Sequence, residues 1–386
     1  MNIDMRVNEL PAKTYRWLQL NGEDVSEKDV SFSTFSIDAV KIPEGVSLLE
    51  NVDADEAESV FAPSHEANMK ADEGLVGPNG DTSQNHAGQI VRTGMGAGVD
   101  ALLESAKVLA TVIKADQGTK VEEPVMLHDH LSKGKSTISR QVIVVPDGSE
   151  LTVIMDYDSD ADADGIEAVS TKFYVGNNAS LHLVKVQMLG KKVRHFDDLG
   201  GVVMDNGSFD LVEIQMGAAK AYVGAYVGLL GKEATSDNNT GFLGSGDQFF
   251  DFNYVAEQRG KKTNSMATYR GVLDGKAVKN WRGSLDFRES SAGSVGDEQE
   301  DTLLLSPEVI NRSMPLILCK EENVDGRHGA TIGQLSDDML FYMEARGIDK
   351  ETAKKIMVRA RLDSVARMIP DEDLKNKVSE YLDEIL

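Results

Sequence analysis

Asp147-Gly148-Ser149-Glu150-Leu151, Asn178-Ala179-Ser180-Leu181, Asn206-Gly207-Ser208-Phe209 and Asp274-Gly275-Lys276-Ala277-Val278 share one pattern: a Gly or Asn turn, one or two small or polar residues, then an alternating run. Counted at Gly148, Ala179, Gly207 and Gly275, the offsets are 31, 28 and 68, the last close to two of the earlier steps. The surrounding runs Ser139–Val145, Leu151–Met155, Lys172–Val175, Leu181–Met188, Phe209–Gln215 and Tyr222–Val227 are short, β-rich and bounded by turn residues. Many short strands without intervening helices fit a sandwich or barrel, or a parallel β-helix whose coils stack on one another. The recurring turn-then-strand unit favours the β-helix.

Working outward, the pattern predicts a mostly helical N-terminal region (1–120), a strand-rich core (121–335) and a helical C-terminal region (336–386). In the first, a short helix is expected near Pro11–Leu20, a polar Gly/Asn/Ser stretch runs around Gly74–Gly88, and Leu102, Leu103, Ala106, Leu109 and Ile113 stripe a helix over Val99–Ile113. In the last, Ser336 caps a helix through Arg346, with Asp337 and Asp338 in its first turn and Gly347 as its stop. Ala353, Ile356, Met357 and Ala360 stripe a second helix. Pro370 restarts the chain, and Leu374, Val378, Tyr381, Leu382 and Ile385 stripe a third.

The 386 residues carry 40 basic and 64 acidic side chains, a net charge of −24 that repels phosphate backbones and anionic headgroups, so neither nucleic acid nor a membrane surface is expected as a partner. The single Cys319 excludes an intrachain disulfide or a four-thiolate metal site, and fits a reducing cytoplasm. Met1–Leu20 lacks an apolar core of signal-peptide length and nowhere do 18 apolar residues run together, so neither export nor membrane spanning is expected.

Asp158-Ser159-Asp160-Ala161-Asp162-Ala163-Asp164-Gly165 nearly copies the start of a calcium loop, but counting from Asp160 the twelfth position is Thr171, not Glu; it reads as a solvated acidic loop between strands. His128-Asp129-His130 places two imidazoles on one face of a strand, with no third ligand nearby in sequence. His182 lies in an alternating run and reads as packed or hydrogen-bonded; His65, His86 and His195 have no distinguishing context. Cys319, ending the apolar run Met314–Leu318, reads as a small buried hydrophobe. No phosphate-binding loop is present, and Gly241-Phe242-Leu243-Gly244-Ser245-Gly246 reads as a turn.

The most distinctive stretch is Asn323-Val324-Asp325-Gly326-Arg327-His328-Gly329-Ala330-Thr331-Ile332-Gly333-Gln334-Leu335, leading into Leu340-Phe341-Tyr342-Met343-Glu344-Ala345-Arg346-Gly347-Ile348. It closely resembles the signature of the SufB/SufD family of iron–sulfur cluster assembly proteins, His-Gly-Ala-Thr-x-Gly followed by a helix with Leu-Phe-Tyr and Arg-Gly-Ile. Thr302–Ser306 and Ser313–Leu316 resemble the family's approach to that signature; Glu123-Pro124-Val125 and Asn8–Thr14 are similar to its entry and N-terminal segments. The His-Gly-Ala form resembles the SufD-like branch, since SufB-type chains carry Glu-His-Glu-Ala there and more cysteines.

The resemblance implies a mainly β fold, a right-handed parallel β-helix between N-terminal and C-terminal helical regions, and a cytoplasmic scaffold subunit without catalytic activity. It implies a SufB-type partner joined through the β-helices, and docking of the SufC-type ATPase on the C-terminal helices around Phe341, Tyr342, Arg346 and Gly347, with at least one of the two aromatics packing the helix onto the solenoid. His328 matches a histidine proposed to ligate iron or a transient cluster shared with the partner subunit; reduced flavin is a further possible cofactor of the complex. Gly326 departs from relatives with cysteine two residues before the histidine. Two rivals are a β-helical polysaccharide-cleaving enzyme, disfavoured by the −24 charge, and a homodimeric iron or cluster carrier that acts without SufB.

Overall fold

The computed structural model describes residues 1–62 and 91–386; the stretch around Gly74–Gly88, with His86, and His65 lie outside the described residues. Among the described residues the architecture is a parallel β-solenoid with two nine-stranded sheets as its faces. Sheet I runs from Asp38–Lys41 through Val125–Leu131, Glu150–Ser159 and so on to Val324–Gln334, and sheet II from Val46–Val52 through Ala110–Ala115, Thr137–Val145 and so on to Ile310–Cys319. Every neighbouring pair is parallel except the first of each sheet.

Each coil lies in register on the last: Glu150 on Ser180, Ser180 on Ser208, Ser208 on Thr235. All six strand runs read from the sequence fall within strands. The turns after sheet II strands stack as well: Gly118, Gly148, Asn178, Asn206, Glu233, Lys262 and Gly293 all adopt positive φ, and the amide of Asn178 donates to Asp205 O one coil on, as Asn206 does to Lys232 O. Gly and Asn enter this left-handed region at least cost, which explains their part in the repeat. The fourth unit belongs elsewhere. Gly275 (φ +65°) precedes the sheet II strand Val278–Phe287, whereas Gly148, Ala179 and Gly207 precede sheet I strands, so the 68-residue offset joins two different corners. Gly241–Gly244 ends the strand Thr235–Gly244; only Ser245–Gly246 turns, with Gly246 at φ +61°.

The expectation of a mostly helical region 1–120 is corrected. Its described part holds the strands Ile3–Val7, Glu23–Glu27, Asp38–Lys41, Val46–Val52 and Ala110–Ala115, against two short helices, α1 (Ala54–Glu58) and α2 (Ala97–Ser105), and 3-10 turns at Arg16–Leu18 and Ser59–Phe61. The helix predicted over Val99–Ile113 stops at Ser105: Lys107 takes φ +55°, and the β-branched Thr111-Val112-Ile113 joins sheet II, where such side chains pack well. Leu102 and Leu103 are buried, whereas Leu109 is exposed.

The N-terminal segments cover the outer face of sheet II. Ile3, Val7, Val25, Met95, Val99 and Leu103 pack there on Ile138, Ile166, Phe196 and Tyr222. The chain at Arg92–Gly96 lies backbone on backbone: a Cβ on Gly224 would fall 2.4 Å from Gly94 C, and one on Gly200 2.1 Å from Arg92 O. The Met95 amide donates to Asp198 Oδ1 at 2.8 Å, and Asn8 Nδ2 donates to Asp251 at 2.7 and 2.8 Å. The C-terminal helices cover the opposite face: α3 (Asp337–Glu344), α4 (Lys350–Ala366) and α5 (Glu372–Ile385) follow the last strand, and Val358, Leu362, Val365, Leu374, Val378 and Leu382 pack on Val184, Val186, Val212, Ile214 and Val272 of sheet I. The α5 stripe is as expected. In α4 Ile356 is exposed and the buried stripe is Ala353, Val358, Leu362 and Val365, one step round the helix.

The interior is apolar with polar inserts. The Glu167 carboxylate lies 3.0 Å from His195 Nδ1, Asp197 Oδ2 lies 3.7 Å from the other ring nitrogen, and Lys185 pairs with Asp197, all fully buried. Burial opposes the His195 imidazolium, but the two carboxylates outweigh it and raise the group to about 9; burial pushes Glu167 and Glu213 up to about 7. Further along, Lys279 pairs with Glu300, which also accepts from Thr302 (2.9 Å), Asn311 (3.1 Å) and Ser313.

Two stability predictions follow from these buried charges. Lys279→Met leaves the Glu300 charge buried without its cation, so denaturant unfolding should show a loss of about 3–5 kcal/mol, largely restored by adding Glu300→Gln. Burial, and secondarily Asp100, push Asp198 up to about 8 from an ordinary 3.8. The folded state therefore retains a proton that the unfolded chain releases, and this group's contribution declines as pH rises from 3.8 to about 8. Asp198→Asn keeps an acceptor for Met95 and removes the decline; the gain in Tm over the parent should be larger at pH 8 than at pH 5.

Candidate functional site

At the N-terminal end of the solenoid the two sheets finish in the antiparallel strands Asp38–Lys41 and Val46–Val52, each with a register shift. Such irregularities blunt a sheet edge. At the other end they finish in full-length regular strands, Ile310–Cys319 and Val324–Gln334, each paired on one side only. Pro315 removes one donor from the sheet II edge; the sheet I edge contains no proline, and nearly all its residues are exposed.

His328 stands on that open strand, in register with Glu298. Glu298 is fully buried with both carboxylate oxygens unpartnered, and burial pushes it well above the usual range. Side chains alternate along a strand, and a Cβ on Gly326 would meet the interior Phe287 at 2.9 Å. His328, two residues on, therefore faces the interior side of the last coil and is exposed because no coil follows. The space that a cysteine at position 326 would enter is occupied by Phe287. Glu298 was missed in the sequence because Asp297-Glu298-Gln299-Glu300-Asp301 reads as a solvated acidic run; only its alternate burial singles it out. Cys319 corrects its expectation: it is exposed at the end of the sheet II edge strand, its thiol 3.0 Å from Glu321 O, because no further strand pairs with this one.

Beyond the open strand, Ser336 Oγ accepts from the Met339 amide and caps α3, and Gly347 closes it at φ +84°. Leu340 and Met343 are buried against Ala353 of α4. Phe341 and Tyr342 face away, 72% and 53% exposed, so the expectation that one of them packs the helix onto the solenoid is corrected: the helix is held through Leu340 and Met343, which pack against α4. The Arg346 guanidinium carbon lies 4.4 Å from the Tyr342 ring centroid, forming a surface patch with Phe341.

A second cluster joins two motifs that the sequence keeps apart. His128 and His130 on Val125–Leu131 pair in register with Asp156 and Asp158. His130 Nδ1 lies 2.6 Å and His128 Nε2 3.6 Å from Asp158 Oδ1, so the third ligand atom that the sequence did not supply comes from the next coil. Hydrogen bonds to Asp158 and Asp156 raise the His130 and His128 imidazoles above their ordinary value. His182, half-buried, is lowered by burial and bonds the Met368 carbonyl; His195 belongs to the interior network.

Residues 128–361 match the family described as SUF system FeS cluster assembly, SufBD core domain, which is more than half of the chain. The chain is 23% identical over 267 residues to the iron–sulfur cluster assembly protein SufD of Bacillus subtilis, covering 68% of this chain and 61% of that one. It is 22% identical over 283 residues to SufD of Escherichia coli, covering 72% and 67%. The match thus spans about three-fifths to two-thirds of these relatives' lengths. No helix among the described residues is long and apolar enough to cross a membrane. With its parallel solenoid and the His328 strand at the solenoid's open end, the chain belongs to the SufB/SufD family of iron–sulfur cluster assembly proteins and is SufD-like.

Proposed function

We propose that this chain is a non-catalytic scaffold subunit of a cytoplasmic Suf complex: the open last coil pairs with a SufB-type subunit and α3 docks the SufC-type ATPase. The observation that carries this reading is the contrast between the solenoid's ends. A long, regular, exposed edge is a template for strand addition, and unprotected edges of this kind are otherwise avoided. In such a pairing His328 and the exposed Ile332, both on the interior side of the last coil, would be covered by the partner. Imidazole can ligate iron beside a partner's thiolate, which gives a one-cysteine chain a part in holding a transient cluster. The Phe341–Tyr342–Arg346 patch has the aromatic and arginine composition of interface anchors, and neither aromatic is needed for packing. Reduced flavin, if the complex takes it, adds to this scaffold role.

Co-expression with SufB-type and SufC-type proteins, pull-down and ATPase assay of the recovered complex tests the assignment. The parent chain should retain both partners and alter ATP turnover. Ile332→Glu should lose the SufB-type subunit, the Phe341→Ala/Tyr342→Ala pair should lose only the ATPase, and His328→Ala should assemble normally yet yield less cluster. If the parent retains neither partner and light scattering shows a dimer, the homodimeric carrier replaces the scaffold reading.

A further inference from the structure

We propose that His128, His130 and Asp158 bind one divalent transition-metal ion of the Zn2+ or Fe2+ class, at a site separate from His328 and independent of the scaffold assignment. His Nδ1/Nε2 and carboxylate oxygens of the three residues lie within 4.8 Å of one another, and ligands about 2.0–2.2 Å from a common ion stand at most about 4.4 Å apart. In a tetrahedral shell the same bonds put neighbouring ligands about 3.3–3.6 Å apart; His128 Nε2 stands 3.6 Å from Asp158 Oδ1, and His130 Nδ1, hydrogen-bonded to it at 2.6 Å, has to open by less than about 1 Å.

The surrounding groups orient the donors. His128 Nδ1 faces Asp156 Oδ2 at 3.2 Å, leaving Nε2 toward Asp158; His130 Nε2 faces Asp160 Oδ1 at 3.3 Å, leaving Nδ1 toward Asp158. In the metal-free chain His130 Nδ1 donates to Asp158; once an ion displaces that proton, each imidazole keeps a carboxylate to accept the N–H on its far nitrogen and turns its other nitrogen toward the shared centre, the usual support of a metal-bound histidine. Asp158 divides its oxygens: Oδ1 faces the imidazoles while Oδ2 accepts from Lys377 Nζ at 2.7 Å, and the same ammonium bonds Asp156 Oδ2 at 2.6 Å. Asp156, 9% exposed, keeps Oδ1 without a partner. With both imidazoles deprotonated, as metal binding requires, Asp156, Asp158 and Asp160 against Lys377 leave two negative charges, which a divalent ion neutralises. Two nitrogens and one oxygen suit zinc or ferrous iron, not the all-oxygen shells of calcium and magnesium or the thiolates of cuprous copper. Both imidazoles are partly exposed, so water completes the coordination.

Because Lys377 lies on α5, the site sits where the C-terminal helix meets sheet I, and an ion that binds only the folded chain raises its stability. The test is titration of the chelator-stripped full chain with Co2+, then Zn2+ in competition, read by d–d absorption and Tm. One equivalent of Co2+ should bind without a sulfur charge-transfer band and raise Tm. His130→Ala and Asp158→Asn should lose that equivalent, Asp160→Asn should weaken it about ten-fold, and His328→Ala should keep it. Circular dichroism and the metal-free Tm of each variant separate a lost site from a lost fold; if Asp158→Asn unfolds, His130→Ala and Asp160→Asn, neither at a buried position, decide. No binding by the parent, or an equivalent unchanged in His130→Ala and Asp160→Asn, overturns the site.

Discussion

In-register stacking is the constraint on which the rest of this structure depends. In a parallel solenoid each residue has a fixed neighbour about one coil later in the chain, so every position belongs to a column running the length of the molecule. One column carries Val153, Leu183, Leu211, Asn238, Ala267, Glu298 and His328. Its character changes from apolar to polar toward the open end. A buried polar side chain can find its partner across the interior, as Lys279 of sheet II does in Glu300 of sheet I; burial pushes one with no such partner, Glu298, well above the usual carboxylate range.

The same constraint explains what was legible in the sequence. Strands showed because inward and outward positions alternate with period two, and the corners showed because their left-handed residues favour Gly and Asn. Corners filled by Glu233 and Lys262 were invisible, since those residue types give no turn signal. The N-terminal region was misjudged because apolar spacing near Val99–Ile113 fits two periods over a short window; tertiary pairing with Val46–Val52 and Thr137–Val145 settled it as helix then strand. At least one of Phe341 and Tyr342 was expected to pack because apolar type alone does not fix which side of a helix of about two turns is covered.

Sites were harder to read than strands for a related reason. His128-Asp129-His130 and the acidic loop each looked incomplete because coil stacking sets their neighbourhood, bringing together residues 28 apart such as His130 and Asp158. Turns with ordinary residue types and corners of unequal length hide the register, so neither motif pointed to the other. His328 was legible as the histidine of a glycine-rich stretch at the strand–helix junction, and its role only through family resemblance; His195, which lies sealed in the interior, had no distinguishing context.

Two coverings leave one direction open. The N-terminal segments occupy the outside of sheet II and the C-terminal helices the outside of sheet I, so the solenoid's faces are spent on the chain itself. Its first coil ends in short antiparallel strands with shifted register, and only the last coil keeps a long regular edge. A subunit added there, as proposed, would continue both the backbone ladder and the interior columns, placing its side chains against His328 opposite Glu298. On the proposed pairing, assembly through the solenoid axis would bring a partner's ligands to this histidine without any rearrangement of the covered faces.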